Sequence, residues 1–331
     1  MVKFFQTDEN MRMKQLPAFA ERCWVDVINP TDDEVEDVVA LTGISEEMIK
    51  AALDEEETAR AEFDDGDSMF LMDTPIMRDT EEGDAYETLP ISIIFNDKCI
   101  VTVSLHGNSI LGDFISNRLK ADTSKPVLFL LHFMMGNAKK FLSYLRQIDK
   151  KSLRVQAELH RSMKNKELIQ LLGLENSLVY FSTSLASNSR VYARVQKLAP
   201  VLAKEDYQDL YDDVIIENTQ AIEMCNIYRD ILTGTMDAFA SVISNNVNIV
   251  MKFLAVSTLI ISVPTLIASL WGMNVSVPFE GVAWGFWVVV AIAVVISAVV
   301  GFFVIRATSS IKIDSNKTIR RVRGRKKDTK D

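Results

Sequence analysis

Two long uncharged segments near the C terminus restrict the fold of this chain more than any other feature of its sequence. Residues 253–279 contain no charged side chain, residues 281–305 again contain none, and Glu280 alone separates the two segments. About 20 apolar residues are enough for a helix to cross the hydrocarbon core of a bilayer. A buried helix of a soluble protein would seldom run that far without one charged position. The two segments therefore predict two membrane-spanning helices, the second of them over residues 283–305.

The distribution of charge predicts how these spans are oriented. Residues 1–250 carry 25 basic and 41 acidic side chains, whereas residues 251–331 carry 11 and 4, so the net charges are −16 and +7. The loop between the spans, residues 275–282, has neither Lys nor Arg. We expect the chain to lie in the cell membrane. The positive-inside rule then places both termini in the cytoplasm and the loop outside. The basic cytoplasmic tail, residues 306–331, could attract anionic lipids or could simply be solvated.

Cysteine and motif content argue against several classes of function. Cys23, Cys99 and Cys225 are scattered and form no Cys-x-x-Cys pair, which is typical of a reduced, cytoplasmic domain. The three histidines lie far apart in the sequence and indicate no zinc cluster. No Gly-rich phosphate-binding loop is present, which argues against ATP-driven transport. We therefore do not expect an enzyme. We also expect no nucleic-acid partner; the expected partners are the bilayer and further copies of the chain.

Residues 1–108 alternate strand and helix signals and predict a cytoplasmic α/β domain. An alternating segment at 23–28 is followed by Thr31 and a run of acids, which is typical of a helix start, and Gly43 predicts the end of that helix. Two hairpins are predicted around turns at Asp65-Gly66 and Asn96-Asp97.

The middle of the chain predicts helices only. Residues 109–203 have helical spacing at 128–147, 153–172 and 174–198 and form a predicted hairpin region. Residues 204–274 predict one helix of about 100 Å that contains both a stalk and the first span. Its single proline, Pro264, lies inside the predicted membrane region, where the lost hydrogen bond can be made up locally. The expected fold class is an α+β membrane protein with a long helical stalk continuous with the first of two C-terminal transmembrane helices.

The first span has a striped pattern that bears on transport. Two spans cannot enclose an aqueous path, so a conducting protein would need several copies, each contributing one helix. Six residues spaced three or four apart share one face of the first span: Met251, Leu254, Thr258, Ser262, Thr265 and Ser269. Small hydroxylated residues also let membrane helices approach closely. The spacing alone leaves both interpretations open.

Motifs along the whole chain point to a family. The first span ends in Gly272-Met273-Asn274, and further matching segments are Met251-Lys252-Phe253-Leu254, Val263-Pro264-Thr265-Leu266 and Trp24-Val25-Asp26-Val27-Ile28. This arrangement resembles the CorA family of magnesium transport proteins. The resemblance implies a homopentamer that takes up Mg²⁺, and also Co²⁺ or Ni²⁺, down its electrochemical gradient. It further implies a selectivity filter at Gly272, Met273 and Asn274, a pore lined by the first span, and closure by cytoplasmic Mg²⁺.

Physical chemistry suggests how such a filter would work. Mg²⁺ loses its water shell reluctantly, so a ring of Asn274 oxygens could bind the water shell rather than the bare ion. Gly272 would let the backbone turn and bring carbonyl groups close to the axis. Glu280 could raise the cation concentration at the outer mouth, or could be an ordinary loop acid. Met251 and Leu254 would form an apolar gate at the inner end, because Thr258 and Ser262 are polar where the family pattern favours an apolar ring.

The regulatory ligands are less clearly marked in the sequence. In the family, a stalk aspartate is among the ligands of the Mg²⁺ that holds the channel closed. Asp209 is the best match, with Asp213 behind it, although the stalk is about one helical turn longer here. Most acids on such a helix simply form its solvated face.

Two other functions compete with magnesium uptake. The zinc-transporting branch shares the architecture, but it commonly has another residue at the position of Met273. A membrane-tethered sensor or scaffold would use the spans only as an anchor. It would leave the hydroxyl stripe and the Gly272-Met273-Asn274 turn unexplained.

Overall fold

The computed structural model describes residues 1–80, 83–162, 165–198, 202, 205–274, 282 and 284–325. The chain divides into two compact units, Met1–Asp237 and Ala238–Asp331. The first unit contains a seven-stranded sheet of order β2-β1-β3-β7-β6-β5-β4. Its strands are β1 (Val2–Thr7), β2 (Met13–Leu16), β3 (Trp24–Ile28), β4 (Arg60–Asp64), β5 (Asp67–Thr80), β6 (Gly83–Phe95) and β7 (Ile100–Ser104). Only β3 and β7 pair in parallel among these strands.

The local signals in the first 108 residues are confirmed. Thr31 caps the first helix in a reciprocal capping box with Glu34, and Gly43 ends that helix at φ 78°. Asp65 and Gly66 both have positive φ, as a tight type I′ hairpin turn requires, and join β4 to β5. Strands β1 and β2 were not predicted, because the charged and polar residues among them mask the alternation.

The helices are fewer and longer than the sequence predicts. They are α1 (Asp32–Thr42), α2 (Glu46–Lys50), α3 (Ser109–Ile115), α4 (Pro126–Ser162), α5 (Asn165–Arg194), α6 (Glu205–Trp271) and α7 (Gly285–Arg325), with short 3₁₀ helices at Ala51–Leu53 and Val195–Leu198. The three segments predicted between 128 and 198 are therefore mainly two helices. Gly173 lies within α5, where an isolated glycine costs only about 1 kcal/mol relative to alanine.

The sheet separates two hydrophobic cores. On one face, Val35 and Val38 of α1 pack with Val25 of β3 and Val101 of β7. On the other face, α3, α4 and α5 pack around Trp24 and Phe129, and α6 contributes Tyr211 and Val214 to that core. The predicted regions 1–108 and 109–203 thus fall within one compact unit.

The second unit contains the predicted spans. Two helical segments in the described part of the chain, Tyr207–Trp271 and Gly285–Val304, are long and apolar enough to cross a membrane. The single long helix α6 passes through Pro264 without ending. The expected fold class, with a stalk helix continuous with the first span, is confirmed.

Candidate ion pathway

The six residues of the predicted stripe all lie on an exposed face of α6. Each of Met251, Leu254, Thr258, Ser262, Thr265 and Ser269 is exposed. Advancing about 100° per residue, they fall within a quarter of the helix circumference. The partly covered residues of the same segment centre on the opposite side; they are Val256, Ser257, Ile260, Val263, Pro264 and Ile267. The stripe therefore lies within the wider face of α6 that its own chain leaves open.

Helix α7 covers the opposite face. A Cβ atom placed on Gly301 of α7 would lie only 3.2 Å from Cδ1 of Ile260, so glycine permits this close approach. Pro264 and Thr265 of α6 line a groove between the two helices together with Ser297 of α7. Thr265 is thus the stripe residue that borders the groove beside α7. The other five stripe residues do not line that groove.

Three of the four hydroxyl groups of the stripe share one hydrogen-bonding pattern. Thr258, Ser262 and Thr265 each donate to the carbonyl oxygen four residues earlier, at 2.8 Å. The hydroxyl proton is thereby used within the helix. Both lone pairs of each oxygen remain available to accept hydrogen bonds. These groups are suited to contact the protons of a cation's water shell.

The predicted filter begins where α6 ends. The helix stops at Trp271, and the amide of Gly272 donates to the carbonyl oxygen of Ala268 at 2.9 Å. The φ of Gly272 does not lie in the left-handed region, so the expected turn does not depend on positive φ. A Cβ there would instead approach the Ala268 oxygen to 3.3 Å. Met273 and Asn274 are exposed, and Glu280 lies outside the described residues.

The predicted regulatory acids lie on the solvated side of α6. Asp209 and Asp213 are exposed, while Tyr207, Tyr211 and Val214 are buried in the core of the first unit. Nowhere among the described residues do three His, Cys, Asp or Glu side chains come together as metal ligands. Within the described residues of one chain, Asp209 and Asp213 thus lie one helical turn apart, but they do not form a complete set of metal ligands.

The cysteine side chains do not take part in the pathway. Cys23, Cys99 and Cys225 are all buried. Burial raises the pKa of each thiol, to about 12 for Cys99 and Cys225. Thiols with such pKa values remain protonated and unreactive at neutral pH.

Sequence reasoning missed two structural contributors. Gly301, which sets the distance between the spans, gives no distinguishing signal because glycine is common in membrane helices. Asn188 of α5 pairs with the main chain of Asp73 in β5, at 2.8 and 2.9 Å. The only hint of that contact is Pro90, which lies opposite Asp73 and lacks the amide that a strand partner would supply.

Comparison with known proteins places this architecture among transporters. The family profile described as "CorA-like Mg2+ transporter protein" matches residues 19–306. The cobalt/magnesium transport protein CorA of Methanocaldococcus jannaschii is 28% identical over 283 residues, which cover 82% of this chain and 86% of that protein. The complete structure of the CorA magnesium transporter from the same organism superposes with a TM-score of 0.77 at 23% identity, covering 92% and 97% of the two chains. The cytoplasmic domain of ZntB from Vibrio parahaemolyticus gives a TM-score of 0.57 at 13% identity and covers 74% of this chain and 97% of that one.

Proposed function

Because this chain belongs to the CorA family of Mg²⁺ transporter proteins, we propose that it assembles as a homopentamer that admits hydrated Mg²⁺ through a central pore. Members of the family are membrane transporters rather than enzymes. Passive uptake of Mg²⁺, and also of Co²⁺ or Ni²⁺, down the electrochemical gradient is the activity that this chain's residues support best.

The stripe on α6 is the observation that carries the proposal. Helix α7 covers the side of α6 opposite to the stripe, so copies arranged with α7 outside would turn the stripe toward a shared axis. That axis would be lined by Thr258 and Ser262, whose oxygens can accept hydrogen bonds from water. Helix α7, with exposed Phe302 and Phe303, would then face lipid.

Asn274 is the proposed filter residue. Its exposed side chain follows the end of α6, and a ring of such amides offers oxygen acceptors without a fixed charge. Mg²⁺ dehydrates slowly, so a ring that binds its water shell permits faster passage than a cage for the bare ion. Glu280 would concentrate cations outside, and Met251 with Leu254 would close the inner end by excluding water.

The proposed orientation follows the charge of the sequence. Both termini would be cytoplasmic, and residues 275–282 would form the outer loop. Residues 306–331 form the basic tail, whose charge would favour anionic lipid head groups on the cytoplasmic leaflet.

Flux measurements would test this function directly. Full-length protein in liposomes, with a Mg²⁺-sensitive dye inside, should show influx that increases with a negative interior potential. Asn274→Ala should abolish selective Mg²⁺ entry, whereas Asn226→Ala, which changes a half-buried amide on the same helix, should not. Entry of Zn²⁺ without Mg²⁺ would assign the chain to the zinc-transporting branch. Absence of any divalent flux from folded, oligomeric protein would favour a tethered sensor or scaffold.

Closure by cytoplasmic Mg²⁺ is the proposed regulation. The exposed carboxylates of Asp209 and Asp213 could complete a Mg²⁺ site with oxygen ligands from a neighbouring copy. Asp209→Asn combined with Asp213→Asn should leave influx high when millimolar Mg²⁺ is present on the cytoplasmic side, where wild-type influx falls. Equal inhibition of both proteins would place the regulatory ligands elsewhere.

A further inference from the structure

Helix α4 carries a basic row on its exposed face, formed by Lys139, Arg146, Lys150 and Arg154. Advancing about 100° per residue, these four side chains fall within a quarter of the helix circumference. No exposed position of α4 between residues 139 and 157 is Asp or Glu. None of the four cations has an ion-pair partner among the residues that the structure describes. The basic row is therefore free to meet an acidic surface.

The stalk part of α6 carries an acidic row of the same kind. Glu223, Asp230 and Asp237 are exposed and lie seven residues apart, so they share one face of the helix. Up to Asp237, the described part of α6 exposes no Lys or Arg. Asp230 contacts only the adjacent Arg229, at 3.6 Å, within the described chain, and its side chain is 76% exposed. Beside this row, Ile227 is 54% exposed.

The two rows lie at the same height along the stalk. The Sγ of Cys225 contacts the carbonyl oxygen of Leu178 at 3.3 Å, and the Thr233 hydroxyl donates to Glu175 at 2.7 Å. Helix α5 is therefore antiparallel to α6, and α4, its partner in the hairpin, runs parallel to α6. Burial raises the pKa of Tyr228, and Arg146 of α4 lies close enough to oppose that shift. Arg146 is thus level with Tyr228.

Equal spacing extends this match along both rows. Asp230 lies two residues beyond Tyr228, so it is nearly level with Arg146. Seven residues earlier in the two helices are Glu223 and Lys139, and seven or eight residues later are Asp237 and Arg154. At 1.5 Å per residue, the acidic row and this part of the basic row are about 21 and 22 Å long. Three opposite charges therefore match in height.

The rows do not pair within one chain. Cys225 of α6 faces α5 and is buried, whereas the acidic row and Ile227 remain exposed. The basic row is exposed as well, so each row needs a second molecule to cover it. A contact between two different faces of identical chains is heterologous, and such contacts close into rings. A ring is the assembly that the proposed homopentamer requires.

We propose that the basic row of α4 docks on the acidic row of α6 in the next copy around the ring. Rotation about an axis along α6 leaves the height of every residue unchanged. Arg146 would therefore meet Asp230 of the next copy, with the other two charge pairs above and below it. The same contact would cover Ile227 and the exposed Leu153 of α4. This inference rests on the proposed homopentamer and identifies the surfaces through which its copies meet.

Cross-linking between differently mutated chains tests the contact. Ser143 of α4 is exposed four residues after Lys139, and Ile227 is exposed four residues after Glu223, so the two should meet. Full-length Ser143→Cys and Ile227→Cys chains would be co-expressed, purified in detergent and treated with a short bismaleimide. The mixture should give cross-linked dimers, whereas either variant alone should give none. As a matched control, Thr183→Cys, at an exposed position of α5, should not cross-link to Ile227→Cys.

Charge reversal tests the pairing of the rows. Arg146→Glu, added to the Ser143→Cys chain, should lower the yield of cross-linked dimer about fivefold, because attraction becomes repulsion. Asp230→Arg, added to the Ile227→Cys chain, should restore the yield. An unchanged yield with Arg146→Glu would exclude this pairing.

The remaining outcomes separate the interface from the assembly. Cross-linking of Ile227→Cys chains with one another would show that α6 meets α6 and would overturn the proposal. Absence of mixed dimers in protein that light scattering shows to be oligomeric would exclude this interface alone. A monomeric wild type would refute the homopentamer itself.

Discussion

Asn188 pairs with the main chain of Asp73 as a neighbouring strand would. Its side-chain amide donates to the Asp73 carbonyl oxygen at 2.8 Å and accepts from the Asp73 amide at 2.9 Å. The strand residue opposite Asp73 is Pro90, which has no amide hydrogen to donate. Asn137 of α4 donates to the same carbonyl oxygen at 2.9 Å. Asn188 of α5 and Asn137 of α4 thus fix two helices to the main chain of Asp73 in β5.

Removal of the Asn188 amide should destabilise the first unit. In Asn188→Ala the partly buried amide of Asp73 loses its partner, and an unsatisfied buried group costs about 1–3 kcal/mol. The expected decrease in the free energy of unfolding has that size, and chemical denaturation of the full-length protein would measure it.

Asn226 of the stalk helix α6 serves as the control for this measurement. Asn226 of α6 accepts only a long contact of 3.4 Å from the Ser182 hydroxyl. Asn226→Ala should therefore lower stability by less than about 1 kcal/mol. Equal losses in the two variants would contradict a special role for the Asn188–Asp73 pair.

Asp26 should make stability depend on pH. It lies 3% exposed in the central strand β3, and burial raises the pKa of its carboxyl to about 6, although a hydrogen bond from Thr102 at 2.9 Å opposes this shift. The folded protein therefore binds a proton more tightly than the unfolded chain does. Stability from this group is present below about pH 4 and is lost as the pH rises to about 6.

Asp26→Asn should remove that dependence. At pH 7.5 the variant should be more stable than wild type by at most about 3 kcal/mol, and at pH 4 the difference should vanish. Denaturation at the two pH values measures the effect. A variant that is destabilised equally at both would show that the carboxylate has a structural partner that asparagine cannot replace.

The hydroxyl stripe should control the rate of ion passage. Thr258→Val keeps the size of the side chain nearly unchanged, and Ser262→Ala removes only the hydroxyl group. Both variants lose the oxygen that accepts hydrogen bonds from water. A hydrogen bond of about 1 kcal/mol corresponds to a roughly fivefold effect, so Mg²⁺ influx into liposomes should fall at least by that factor.

A serine on α7 provides the matched control. Ser297 donates to the carbonyl oxygen of Ala293 at 2.7 Å, the same pattern as in the stripe, but it is buried. Ser297→Ala should leave influx unchanged. A strong loss in this variant together with normal flux in Thr258→Val would place the ion pathway on another face.

Local features of the sequence predicted much of the fold, and contacts distant in sequence did not. The capping box at Thr31 and the Asp65-Gly66 turn depend on neighbouring residues, so their patterns are sufficient. The Asn188–Asp73 pair joins residues 115 positions apart and could not be anticipated.

The sequence likewise predicts only part of the candidate pathway. Periodicity alone places the stripe on one face of α6, but it cannot distinguish a pore lining from a surface where helices pack. The approach of Gly301 to Ile260 shows that α7 packs against the other side of α6. That distinction requires the packing of two helices, which the sequence of either one does not contain.

The burial of all three native thiols has a practical consequence for mapping the pathway. Because Cys23, Cys99 and Cys225 are shielded and protonated, water-soluble alkylating reagents should leave the wild-type chain unmodified. Single cysteines introduced along α6 could then be scanned for labelling without first replacing the native residues. Since the native cysteines would not react, labelling of an introduced cysteine would show that water reaches that position of α6.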